Sequence, residues 1–181
     1  MRKVARFSIG AVIISFATLL AGCGSIPAAE VLEPYNDTAK VYFIMPTGET
    51  FAGRGLSPDN QFQLWNEGTF LSNIGRKEIL TLNLIEGTYL IMAEGGVYYI
   101  VQATLTAGET YYFKVVALPG FNRPFVKLEL MDANDPELEK YMRDFKKIVP
   151  KGKVSASLVR NACKKVADAL NDPNEIDLIV N

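Results

Sequence analysis

The chain has 181 residues, with 19 basic against 20 acidic side chains, two cysteines and no histidine. That length suits one domain with a smaller appendage, and the near-neutral total gives no general case for nucleic acid or another polyanion as partner. The lack of histidine excludes His-based triads, His zinc sites and the commonest general base.

The N-terminus reads in three zones: a basic start (Arg2, Lys3, Arg6), an apolar run from Phe7 to Leu20, and the small residues Ala21 and Gly22 before Cys23. This is the layout of an export signal. The run is shorter than the roughly 20 apolar residues that span a bilayer, so a permanent membrane helix is not expected. In order, Leu20, Ala21, Gly22 and Cys23 resemble the lipobox of bacterial lipoproteins. The resemblance implies a signal peptide over residues 1–22, cleavage between Gly22 and Cys23, and palmitate-type acylation at Cys23. Two or more acyl chains would hold the protein stably, since each buried methylene contributes about 0.8 kcal/mol. Gly24, where retained inner-membrane lipoproteins have aspartate, is similar to the Gram-negative outer-membrane pattern and implies a cell-envelope location facing the periplasm. Once Cys23 is acylated, Cys163 is the one thiol left and no intramolecular disulfide is expected.

Residues 23–38 carry Pro27, Pro34, small residues and acids without apolar period, and read as a tether. The body over 39–132 begins with AKVYFIMP. After a Gly-containing loop come QFQLW and TFLSNI, separated by NEG and read as a hairpin. Then follow EILTLNLI, TYLIMAE, VYYIVQATL, TYYFKVVAL and FVKLELM, joined through Glu86-Gly87, Gly95-Gly96, AGE and PGFNRP. About seven or eight strands without intervening helices predict a mainly β fold, an antiparallel β-sandwich of prealbumin or immunoglobulin kind.

Alternation assigns the faces. The inward set is Val41, Phe43 and Met45; Leu80, Leu82 and Leu84; Tyr89, Ile91 and Ala93; Val97, Tyr99 and Val101; Tyr111, Phe113 and Val115; Val126, Leu128 and Leu130. The outward positions Tyr42, Ile44, Leu90, Met92, Tyr98, Ile100, Tyr112 and Val116 are apolar as well, so something must cover them. Two amphipathic helices in residues 133–181 offer a cover. The first starts with Asp135 as N-cap and Pro136 at N1, and presents Leu138, Tyr141, Met142, Phe145, Ile148 and Val149 up to Pro150. The second presents Leu158, Val159, Ala162, Val166, Ala169 and Leu170 and stops at NDPN. At least the first is expected on the outer face of the sheet.

AKVYFIMP, the Gly-rich loop, EGTYLIMAE, AGETYYFKV and RPFVKLEL resemble, in order and spacing, a domain of unknown function of small bacterial lipoproteins, similar to carboxypeptidase-regulatory and PEGA-type modules. In these a Gly-x-Tyr turn opens a core strand; Gly87 and Tyr89 match it, and Gly108 and Tyr111, one residue further apart, are read as a second one. The resemblance brings no catalytic residues and no cofactor.

Other candidate sites are weaker. DANDPE (132–137) opens like a calcium loop, but Glu137 stands at the sixth position and Arg143 at the twelfth, so a strand-to-helix cap is the better reading. Trp65, Tyr98, Tyr112, Phe121 and Phe125 could form a platform for sugar or peptide, though such residues more often serve the core. Cys163 shares a helical face with Val159, Val166 and Leu170, the setting of an inert thiol.

Charge position is more telling than total charge. Between Lys140 and Lys165 nine basic residues stand against Asp144 alone, a local +8 on an otherwise acidic chain. Lys146, Lys147, Lys151 and Lys153 are the candidates for contact with anionic lipid or cell-wall polymer, beside the membrane partner reached through Cys23. The expected function is a non-enzymatic binding or structural module of the envelope, able to meet an envelope protein. A carbohydrate- or cell-wall-binding module and a carboxylate-based envelope hydrolase remain the alternatives.

Overall fold

A computed structural model describes residues 37–46, 61–118, 125–150, 154–172 and 176–179. The eight β-rich runs form β1 (Thr38–Met45), β2 (Phe62–Asn66), β3 (Thr69–Ile74), β4 (Glu78–Ile85), β5 (Gly87–Glu94), β6 (Tyr98–Leu105), β7 (Thr110–Leu118) and β8 (Phe125–Met131). They are followed by α1 (Pro136–Asp144), β9 (Lys146–Ile148), α2 (Ala156–Asn171) and β10 (Ile176–Ile179). One sheet has the order β8-β7-β1-β4-β9 and the other β10-β6-β5-β2-β3.

Glycines and tyrosines set the turns. Asn66-Glu67-Gly68-Thr69 joins β2 to β3 with positive φ at both central residues (47° and 84°), the requirement of a type I′ hairpin turn. Gly108 (φ 80°) supplies the left-handed position between β6 and β7, and the Glu109 N–H donates to the Thr106 carbonyl. At both Gly-and-Tyr turns the phenol ties down the backbone. Tyr89 donates to the Ile85 carbonyl at 2.6 Å, and the Thr106 N–H donates to the Tyr111 oxygen at 3.0 Å.

The alternation places the core. Val41, Phe43, Met45, Leu80, Leu82, Ile91, Ala93, Val101, Tyr111, Phe113, Val115, Val126 and Leu128 join one buried cluster to which both sheets contribute. Leu84, Tyr89 and Tyr99 pack at its margin. Val97 and Leu130 depart from the expected set, being 47% and 39% exposed. Val97 precedes β6, and Leu130 lies near the end of an edge strand, where no described strand closes over it.

The apolar outer faces are covered, one helix to each sheet. Leu138 and Tyr141 of α1 pack with Ile44, Ile79 and Met131, flanked by Tyr42 and Tyr112. Ala162, Val166 and Ala169 of α2 pack with Trp65, Phe70, Met92 and Ile100, flanked by Leu90 and Tyr98. The α2 stripe is narrow because two of its three buried residues are alanines, so its backbone lies close to the sheet. A Cβ added at Gly68 would stand 2.6 Å from Cys163 Sγ and 3.6 Å from Cys163 Cα. Gly68 is therefore fixed twice, by its φ and by the helix above it.

Three expectations need correction. The first helix stops at Asp144 instead of running to Val149. Phe145 adopts extended backbone (φ −94°, ψ 147°) and caps the helix through its N–H to the Tyr141 carbonyl, and its ring rests against that of Tyr141 at 4.8 Å. Lys146–Ile148 then pairs in parallel with Glu78–Leu80. A β-branched run before Pro150 favours extended backbone, and the edge of β4 supplies hydrogen-bond partners. Second, the segment 133–181 is not helical alone, since β9 extends one sheet and β10, parallel to β6, extends the other. Third, the sheets are not wholly antiparallel: β1 pairs in parallel with β7. These two strands are joined only through an excursion into the other sheet, so no hairpin imposes opposite directions.

Candidate functional site

Cys23 and Gly22, the residues on which the expected anchoring depends, lie outside the described residues, as do Lys151, Lys153 and Phe121. Among the described residues no helix is long and apolar enough to cross a membrane. Cys163 is half-buried on α2 and is not a free thiol: its sulfur is disulfide-bonded. With Cys23 the chain's one other cysteine, the partner falls outside the described residues. This corrects two expectations, the inert thiol at Cys163 and the absence of a disulfide.

The described residues of the basic segment do not form one patch. Lys140 and Arg143 sit on α1 over one sheet, while Arg160, Lys164 and Lys165 sit on α2 over the other. Several of these charges are taken up locally. Lys146 pairs with Glu78 at 3.1 Å across the β4–β9 edge, and the other oxygen of Glu78 accepts the Gly75 N–H at 2.8 Å. Lys165 pairs with Glu94 and lies 5.5 Å from the centre of the Tyr98 ring. Arg143 pairs with Asp144 and, more loosely, with Glu139. Lys140, Lys147, Arg160 and Lys164 are exposed and make no ion pair among the described residues. Of the four lysines singled out by sequence, Lys147 is thus the one described residue with an unengaged charge.

The aromatic candidates are dispersed. Trp65 is fully buried beneath α2 and meets Phe70 edge-on at 5.1 Å; Tyr98 belongs to the same cluster. Tyr112 is on the opposite sheet, stacked on Tyr42 at 5.2 Å with the planes 7° apart. Phe125 is 41% exposed, on edge strand β8. No single surface gathers the four described ones.

The stretch 132–137 is a cap. Asp132 accepts from both the backbone and the side-chain amide of Asn134, and Asp135 accepts the Glu137 N–H at 2.8 Å. An open depression of about 340 Å³ lies there, lined by residues from Ala133 to Glu139. Among the described residues no group of three or more Cys, Asp and Glu side chains could hold a metal ion.

Sequence reasoning missed a polar cluster where α1 meets its sheet. Tyr141 donates to Glu137 at 2.7 Å, and Lys114 approaches the same carboxylate at 3.5 Å. The Tyr141 hydrogen bond, more than the Lys114 charge, lowers the pKa of Glu137, while burial and then the Glu137 contact raise that of Tyr141. Beside it Lys40 lies 5.4 Å from the centre of the Tyr42 ring, and its pKa is raised chiefly through a hydrogen bond to Tyr42. The i, i+4 spacing of Glu137 and Tyr141 was a signal for the first contact. Pairing of Lys114 with that helix depends on docking and had none.

No protein-family model and no curated protein matches the chain. The resemblance to small lipoprotein β-domains therefore rests on the quoted residues alone.

Proposed function

We propose that the chain is a lipid-anchored cell-envelope protein, held by acylation of Cys23 and facing the periplasm from the outer membrane, whose body is a non-enzymatic binding or structural module. The observation that carries this reading is Leu20-Ala21-Gly22-Cys23 at the end of a basic-then-apolar N-terminus. The body is consistent with it: each outer sheet face is occupied by the chain's own helix, and the carboxylates described above are engaged in caps and ion pairs. We assign the two-sheet body to the prealbumin type. An immunoglobulin constant domain keeps its first two strands in one sheet, whereas here β1 and β2 lie in different sheets and β1 runs parallel to β7.

Lipid on the Cys23 sulfur and a disulfide through it exclude each other, so the reading requires Cys163, disulfide-bonded in the structure, to be a thiol in the mature protein. The test expresses the full chain in a Gram-negative host. Wild type should fractionate with membranes, have the mass of residues 23–181 plus acyl groups, and react with one equivalent of a thiol reagent after unfolding without reductant. Cys23→Ser should accumulate as a heavier precursor without lipid label. A Cys23→Ser protein with the same processed mass and membrane retention as wild type would overturn the proposal.

A further inference from the structure

Open sheets have edges, and an uncovered edge strand offers unpaired N–H and C=O groups to another chain. The tail of this protein covers two of the four edges that β1 to β8 would leave: β9 lies along β4 and β10 along β6. Of the remaining two, β3 has six residues and is paired with β2 through a register shift at Leu64/Trp65. The other, β8, has seven residues in regular register with β7 from Phe125 to Met131, and no described strand pairs with its far side.

The sequence of β8, Phe-Val-Lys-Leu-Glu-Leu-Met, has an unusual chemical symmetry about Leu128. If two such strands run antiparallel with Leu128 opposite Leu128, Lys127 of each faces Glu129 of the other. Val126 then faces Leu130, and Phe125 faces Met131. Opposite residues in an antiparallel pair share a face, so both charge pairs fall on the solvent side and the Val/Leu pairs on the core side. Neighbouring registers fail. Centring on Lys127 or on Glu129 sets like charges opposite one another, and half-step registers put charged residues beside core-facing leucine. The exposures agree with this register: Phe125 and Leu130, the large apolar side chains left open on β8, are 41% and 39% exposed. Lys127 and Glu129 of one strand pair with each other at 3.5 Å, and with side chains 41% and 46% exposed both can also reach a neighbour across the edge.

We propose that β8 is a self-association edge, on which a second copy of this chain adds its own β8 antiparallel about Leu128 and joins the two five-stranded sheets into one. The inference does not depend on lipid anchoring.

The test is charge reversal with rescue, read by sedimentation equilibrium on the full chain in detergent. Wild type should self-associate to a dimer. Lys127→Glu and Glu129→Lys should each raise the dissociation constant about tenfold or more, because each reversal acts twice across the two-fold axis. The double variant Lys127→Glu/Glu129→Lys should return it to near the wild-type value. Each single reversal also breaks the Lys127–Glu129 pair within the strand, but that pair is solvent-exposed and such pairs contribute little, so the melting temperatures of the diluted single variants should stay close to wild type, which separates lost association from lost fold. A monomeric wild type, association indifferent to both single reversals, or a double variant no better than the singles would each overturn the proposal.

Discussion

Gly68 and Gly108 form a natural experiment on how α2 is held. Both have positive φ, 84° and 80°, so alanine at either position suffers the same left-handed backbone penalty, about 1–2 kcal/mol. Their surroundings differ. A Cβ at Gly108 would meet nothing within 4 Å, whereas one at Gly68 would lie 2.6 Å from Cys163 Sγ. Real carbon and sulfur atoms do not approach so closely, so the turn or the helix must shift, at a further cost of about 1–3 kcal/mol typical of overpacking. Gly108→Ala should then destabilise by about 1–2 kcal/mol and Gly68→Ala by about 2–5 kcal/mol, with equal backbone terms. Equilibrium urea unfolding under reducing conditions, followed by Trp65 fluorescence, would measure both. Trp65 lies under α2, so it reports on the relevant contact. Cys163→Ala removes the Sγ and leaves a Cβ–Cβ approach of 3.7 Å, an ordinary contact. In the double variant the extra cost of Gly68→Ala should therefore largely disappear. Equal destabilisation by the two glycine substitutions would refute the seating of α2 on the β2–β3 turn.

Two further predictions concern α1. Phe145→Asp should lower stability by about 1–3 kcal/mol, since it places a charge where the ring packs on Tyr141 at the helix end; a denaturant melt unchanged from wild type would contradict the docking of this helix. Glu137 has a lowered pKa, chiefly through the Tyr141 hydrogen bond, so its contribution is present above the ordinary carboxylate value of 4.5 and is lost as pH falls through the lowered folded value. Tyr141→Phe should remove most of this contribution and flatten the stability profile below that pH. An acid limb as steep as wild type in the variant would refute the assigned cause.

How much was legible in the sequence follows from the range of the forces involved. Period-two alternation in runs such as Val41/Phe43/Met45 and Tyr111/Phe113/Val115 fixed eight strands and their core faces, because a strand's side chains alternate whatever it pairs with. The same pattern made the outer faces apolar and so implied covering helices, and the NEG turn and Asp135-Pro136 cap were local chemistry readable in place. The N-terminal zones were equally local, and the export reading drawn from them needs no tertiary structure. Strand order, the parallel β1–β7 pair and the assignment of one helix to each sheet depended on which surfaces met, and no spacing along the chain encodes that. The tertiary structure also decided the end of α1. Ile148 and Val149 fit a helical stripe by period, but an open edge beside Glu78 and a β-branched run before proline favoured a strand. It likewise divided the basic segment: Lys140 and Arg143 are separated from Arg160, Lys164 and Lys165 because α1 and α2 rest on different sheets, and Lys146 is paired with a carboxylate 68 residues away in the chain. Charge adds along a sequence, but a charged surface exists only where folding keeps those charges together.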